Sequence, residues 1–310
     1  MSTPLSGTTV GLVSGRYRAS IATVGASLRT LEHDGTALVV PFEENEVRPR
    51  YCGVILAPWP NRVVDGRYSF DGTTQQLPLT EPNRGHALHG LALWLDFDIS
   101  EVQSDCVTLV ATIQAQAGYP HRIDVTVSYR LDDKGLHTVV TATNTGPNPA
   151  PWGTGPHPYL VAGSGHVNEW TLTLPADEVL TVTDDRLIPT GLATVEEESE
   201  GALDFRAPRT IGDTFIDHAF TSLHRDSAGI ATVTLLNEEG TGVEMTWDEA
   251  CPWVQIHTAD LPDTSLSRMG LAVEPMTCPP DAFNSGTDLV VIAPHESHRA
   301  GWRISAVGHA

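Results

Sequence analysis

The sequence predicts an all-β protein built as a large antiparallel β-sandwich. Three observations predict it. Apolar residues alternate with polar ones at period two through most of the chain, the signature of strands with one buried face. Short turn signals separate these runs, so neighbouring strands are joined by hairpins, which only antiparallel pairing permits. Glycine (27) and proline (22) are plentiful, while amphipathic helical runs, heptads and internal repeats are missing.

The elements follow in chain order. Arg67-Tyr68-Ser69-Phe70 runs into Asp71-Gly72 and returns from Thr73, a two-residue hairpin turn with the glycine such turns need. Val107 to Ile113 places Val107, Leu109, Ala111 and Ile113 on one face, and Ile123 to Tyr129 does the same with Ile123, Val125, Val127 and Tyr129. Asp132-Asp133-Lys134-Gly135 then turns the chain into Leu136 to Thr143. The acidic stretch 193–200 reads as a solvated loop. A third hairpin joins 232–236 to 243–247 through Asn237-Glu238-Glu239-Gly240. No Pro/Ser/Gly linker divides the chain, so residues 1–310 are expected to form one domain of two stacked sheets.

Eighteen basic against 39 acidic residues give a net charge of −21. A field of that sign repels nucleic acid and anionic lipid, so neither is an expected partner. Cys52, Cys106, Cys251 and Cys278 lie far apart, as expected of unpaired thiols in a reducing compartment. The first seven residues carry neither a basic region nor an apolar one, and no apolar run reaches membrane-spanning length. The expectation is a soluble, cytoplasmic protein.

Five stretches are unlike ordinary strand or turn. In Leu271-Ala272-Val273-Glu274-Pro275 three apolar residues lead directly to a carboxylate, and proline removes the next backbone donor. The spacing predicts that the strand ends there, with Glu274 partly desolvated at the lip of the core. A carboxylate so placed has a raised pKa suited to a general base, or it is a salt-bridged strand-end residue. Ala57-Pro58-Trp59-Pro60-Asn61-Arg62 is a stiff segment that delivers an Asn and an Arg fork to its end. Gly85-His86-Ala87-Leu88-His89-Gly90 carries two histidines whose flanking glycines favour a loop over a helical metal pair. Gly155-Pro156-His157-Pro158-Tyr159 locks a histidine between two prolines, a rigid mount for a general acid or simply a loop residue. Asp217-His218 sits between apolar flanks, and Gln255 and His257 share a face of a later strand. No phosphate loop, dinucleotide fingerprint or nucleophile elbow appears. His295-Glu296-Ser297-His298 reads as surface.

Taken together and in this order, Asn61-Arg62 with Gly66-Arg67-Tyr68, Leu88-His89-Gly90, His157-Pro158-Tyr159, Asp217-His218-x-Phe220, Gln255, and Glu274-Pro275 with Pro280-Asp281-Ala282-Phe283-Asn284 resemble the aldose 1-epimerase (galactose mutarotase) family. The resemblance implies that family's large β-sandwich and its isomerase activity, the interconversion of α and β anomers of an aldose. It implies Glu274 as general base on the anomeric hydroxyl and His157 as general acid on the ring oxygen, on opposite sides of a neutral ring. It implies His89 near the ring oxygen, with His86 as a substitute, and Arg62, Asn61, Asp217 and Gln255 on sugar hydroxyls. It implies no metal or cofactor, a small-molecule aldose as partner, and a monomer or homodimer.

The sequence departs from the family at the residue after Leu88-His89-Gly90, which is Leu91, at Gly153-Thr154-Gly155-Pro156 before His157, and at Pro58-Trp59-Pro60 before Asn61. These changes put the preferred sugar in doubt. An anionic hexose, 6-phosphorylated or sulfonated, would need a basic pocket, for which Arg48, Arg50 and Arg84 are candidates. A non-catalytic sugar-binding protein would not need both Glu274 and His157. A glycoside hydrolase would need a second carboxylate, for which Asp217 is the candidate.

Overall fold

The computed structural model describes residues 3–263 and 267–308. Among them the predicted alternation becomes two large antiparallel sheets. The nine-stranded sheet runs, edge to edge, through Asp98–Val102, Cys106–Ile113, Ile123–Asp132, Gly135–Asn144, Ser297–Val307, Gly242–Trp247, Ala231–Leu236, Thr171–Thr173 and Arg209–Thr210. The six-stranded sheet runs through Tyr159–Leu160, Leu271–Met276, Trp253–His257, Asp217–Leu223, Ala176–Val182 and Pro189–Thr194. A four-stranded sheet from Thr9–Ser14 to Thr36–Ala37 covers one end.

The two large sheets stack as a β-sandwich. One apolar cluster contains Val125 and Val127 from the first and Val179, Val254 and Val273 from the second. The alternation explains this: Ile123, Val125, Val127 and Tyr129 are all buried, while Asp124, Thr126 and Ser128 between them are half-buried. Three tryptophans, Trp152, Trp170 and Trp247, fill the largest volumes of the interior.

All three hairpins form, pairing Phe70 with Thr73, Asp132 with Gly135, and Leu236 with Gly242. The acidic stretch is more ordered than the expected loop. Its first two residues close the strand Pro189–Thr194, and Glu198–Gly201 makes a single 3-10 turn. One short α-helix, Ala282–Ser285, is present among the described residues. Among the described residues no helix is long and apolar enough to cross a membrane.

The strand carrying Glu274 does not end at it. It continues to Met276, with Pro275 opposite Val254. Proline is tolerated because its nitrogen faces away from that ladder. The neighbours two residues either side, Val273 and Thr277, donate instead to the Pro158 and Thr154 carbonyls on the far side. Pro275 therefore removes a donor only along an edge where pairing has already thinned to Tyr159–Leu160.

Candidate active site

The six-stranded sheet supplies one half of a pocket. Glu274 lies directly opposite Gln255 in the ladder, and His257, two residues on, lies opposite Asp217. Period-two geometry therefore turns all four side chains to the same face. Gln255 Nε2 donates to Asp217 Oδ1 at 2.7 Å, and His257 Nδ1 stands 3.8 Å from the same carboxylate.

Loops supply the other half. Arg62 and Val63 pair with Leu88 and Ala87, and the His89 backbone N–H donates to the Asn61 carbonyl at 2.8 Å, so the two loops are zipped together. Arg62 is held by a fork: its Nε donates to Glu81 Oε2 at 2.8 Å and its Nη2 to Glu81 Oε1 at 3.1 Å. The Asn61 carboxamide accepts from Arg62 Nη1, and Asp217 Oδ2 lies 3.9 Å from Arg62 Nη2. His89 packs edge-on against Tyr51 and His157, with ring centroids 4.7 and 5.1 Å away. The His157 backbone is fixed on both sides, its N–H donating to Val54 and its carbonyl accepting from Gly53.

These halves enclose a cavity of about 300 Å³, which Glu274, His157, His89, Arg62, Asn61, Asp217 and Gln255 all line. His157 Nε2 stands 3.4 Å from Glu274 Oε1, with both side chains buried. The two groups are neighbours rather than residues on opposite sides of a ring, which corrects that expectation. Burial pushes the Glu274 carboxyl well above its ordinary value, and the Asp217 charge adds to it against the pull of Arg62. Burial, then the charge of His257, brings His157 down to about 3. His89 is likewise driven well below the usual histidine value by burial, then by His157 and Arg62. The geometry thus sets a carboxyl whose proton affinity burial raises beside an imidazole whose proton affinity burial lowers, within one proton hop. Burial also works against the charge of Glu81, but the hydrogen bond and charge of Arg62, then of Arg84, hold its carboxyl below the ordinary value.

Five polar atoms on these walls have no hydrogen-bond partner among the described residues: His89 Nδ1, His157 Nδ1, Gln255 Oε1, His257 Nδ1 and Glu274 Oε2. Buried polar atoms are normally paired, and such a cluster is the mark of a site awaiting a polar ligand.

His86 does not belong to this group. Its Nδ1 accepts from the Asp65 backbone N–H at 3.2 Å and its Nε2 meets the Arg186 carbonyl at 2.9 Å, which spends both ring nitrogens on loop structure. Arg48 is also turned away, bonded to Ser27 and to the Val24 and Leu93 carbonyls, whereas Arg50 and Arg84 do line the pocket. Sequence reasoning missed Glu81 and Tyr51. For Glu81 the only sequence signal is its spacing of three from Arg84, to which it also bonds at 2.8 Å.

Residues 9–305 match the profile of the family described as aldose 1-epimerase. The chain belongs to the aldose 1-epimerase family. Within it, the chain is 38% identical over 301 residues to YihR, an uncharacterized protein of Escherichia coli strain K12, covering 96% of this chain and 93% of that one. It is 31% identical over 202 residues to the rat galactose mutarotase, covering 60% of this chain and 56% of the enzyme. The aldose 1-epimerase fold is evident in the crystal structure of a GalM/aldose epimerase homologue from C. elegans. That structure superposes with a TM-score of 0.84 at 20% identity, over 97% of this chain and 99% of that one.

Proposed function

We propose that this family member interconverts the α and β anomers of a hexose by acid/base opening and closure of the ring. The observation that carries the reading is the buried His157–Glu274 pair at 3.4 Å, set in a pocket of unpartnered polar atoms. The anomeric oxygen and the ring oxygen are both bonded to C1, so an adjacent acid and base can serve them together. Arg62, Asn61, Asp217 and Gln255 bind the remaining hydroxyls, and His89 holds the ring-oxygen side.

The proton count closes. The anomeric O–H proton passes to Glu274 while His157 gives a proton to the ring oxygen, the C1–O5 bond breaks and a C1=O1 aldehyde forms. Rotation about C1–C2 and reclosure reverse both transfers. The pair holds one proton before and after, and titrates as a unit. In the empty site that proton rests on Glu274. A sugar hydroxyl donating to Glu274, with the Arg62 charge behind it, favours the carboxylate and moves the proton to His157, the state that opens the ring.

Polarimetry on freshly dissolved α-D-glucose and α-D-galactose tests this. Glu274→Gln should lower the rate by about 10²–10⁴-fold, the range for loss of a general acid or base. The kcat/KM profile should show an acid limb near pH 3, where His157 takes up a second proton, and an alkaline limb where Glu274, raised by burial, gives up the shared one. Full activity in the mutant, or no acceleration by wild type, removes the mechanism.

Arg50 and Arg84 on the pocket wall favour one second reading, a hexose carrying a phosphate or sulfonate at C6. Adding a 6-phosphosugar to the polarimetric panel separates the two.

A further inference from the structure

One histidine of the pocket has no part in the proton transfers described above. His257 lines the Glu274 cavity with His89 and His157. Its side chain is 25% exposed, against 5% for His157, so it is the pocket histidine that solvent reaches. In the ladder it shares a row with Asp217 on one side and with Ala272, then Tyr159, on the other. Ala272 offers only a methyl, and the Tyr159 hydroxyl is given to the Arg50 carbonyl at 3.2 Å. The polar partner left in that row is Asp217. His257 Nδ1 stands 3.8 Å from Asp217 Oδ1 and makes no hydrogen bond among the described residues. That spacing is too long for a hydrogen bond and close enough for an ion pair.

Asp217 thus has three polar neighbours. Gln255 Nε2 donates to its Oδ1 at 2.7 Å, Arg62 Nη2 lies 3.9 Å from its Oδ2, and His257 is the third. Gln255 is always neutral and Arg62 always charged, so the imidazole is the one neighbour whose charge can vary. The same ring acts on groups from its own chain and from the loops. Burial works against the charge of Asp260, but bonds from Thr258 and Arg268, then the charges of Arg268 and His257, hold it below the ordinary carboxylate value. For His157 the His257 charge is the first cause after burial, with Arg48 and Arg50 adding less. For His89 it follows burial, His157 and Arg62. Glu274, one row away on that face, responds to burial, Asp217 and Arg62, so His257 reaches it by way of Asp217.

We propose that His257 is a positioning residue of this site, pairing with Asp217 and fixing the charge balance in which a single proton is shared between His157 and Glu274. Its role in turnover rests on the epimerase reading above, whereas the pairing rests on the ladder geometry. Beside a cationic imidazole, Asp217 stays ionised and keeps its orientation toward a sugar hydroxyl. The same cation opposes a second positive charge on His157, so the pair does not fill both of its proton sites.

The test compares wild type with His257→Gln, which removes the charge, and His257→Lys, which supplies a cation again. Polarimetry against pH uses the fastest-relaxing of α-D-glucose, α-D-galactose and a 6-phosphosugar. His257→Gln should raise KM about fivefold with kcat within about twofold, and should move the acid limb of kcat/KM upward by about one pH unit, the scale of one nearby charge. The sign follows because losing a cation lets His157 take up its second proton at higher pH. His257→Lys should return the limb toward its wild-type position. His257→Asn replaces the Gln variant if that one fails to fold. A limb that stays in place in the neutral variant overturns the proposal, and so does an equal loss of melting temperature and activity in both variants with no movement of the limb. Proton NMR of the imidazoles, with no sugar present, reads the pairing separately. His157 should titrate at higher pH in His257→Gln than in wild type. Should no sugar relax faster, the epimerase reading fails and this titration decides alone: an upward move supports the pairing, and an unchanged His157 overturns it.

Discussion

The two halves of the pocket are built by different means. The sheet half places Glu274, Gln255, His257 and Asp217 by ladder register, in ordinary extended backbone. The loop half places Arg50, Tyr51, Asn61 and His89 at φ of 48°, 59°, 52° and 64°, conformations that side-chain-bearing residues seldom adopt. The charges divide the same way. Two carboxylates and His257 come from the sheet, while Arg50, Arg62, Arg84, His89 and His157 come from the loops, with Glu81 as the acid that pairs with Arg62 and Arg84. Regular structure supplies the groups that must be buried in a fixed lattice. Strained loops supply the groups that must converge on them from outside it.

The largest expected effect tests whether the halves work as one unit. Glu274→Gln and His157→Asn should each cost about 10²–10⁴-fold in kcat/KM, and the double variant should be no worse than the poorer single one. Multiplicative losses would mean that sheet and loop act independently and that no proton is shared between them.

A smaller effect isolates the loop half. Glu81→Gln weakens the fork on Arg62, two charge-assisted bonds of the kind worth about 1.5–3 kcal/mol each. The binding role proposed for Arg62 predicts a KM for sugar about tenfold higher with a lesser change in kcat. An equal fall in kcat with constant KM would place Glu81 in the chemistry instead.

The smallest effect on activity is expected at His86. His86→Ala leaves the Asp65 N–H and the Arg186 carbonyl without partners, at about 1–3 kcal/mol of stability. The melting temperature should drop while the kcat/KM of the folded protein holds. A collapse of kcat/KM at unchanged melting temperature would return His86 to the site.

The same division governs what was legible beforehand. The strands at Val107 to Ile113 and Ile123 to Tyr129 are written in their alternation, because a two-residue repeat with one buried face has few other solutions. Gln255 and His257 share a face for the same reason. The loop half resists this reasoning because nothing local distinguishes His86 from His89, three residues apart in one glycine-flanked loop. The positive φ at His89 and the capture of His86 by Asp65 and Arg186 are both decided by distant partners. Glu81 was invisible because its role depends on Arg62, nineteen residues earlier, reaching across a turn. Pro275 misled in the opposite sense, since a missing donor matters only on the side it faces.

That proline has a mechanical consequence. Extending the Tyr159–Ala272 register along the edge sets Pro156 opposite Pro275, so at this point neither chain has an N–H to offer the other. The bonds from Val273 and Thr277 bracket a stretch of seam that is packed but unlaced. His157 is fastened to Val54 and Gly53 on one bank, and Glu274 to its ladder on the other. The 3.4 Å between His157 and Glu274 is therefore set by the packing of that seam rather than by a ladder of backbone hydrogen bonds.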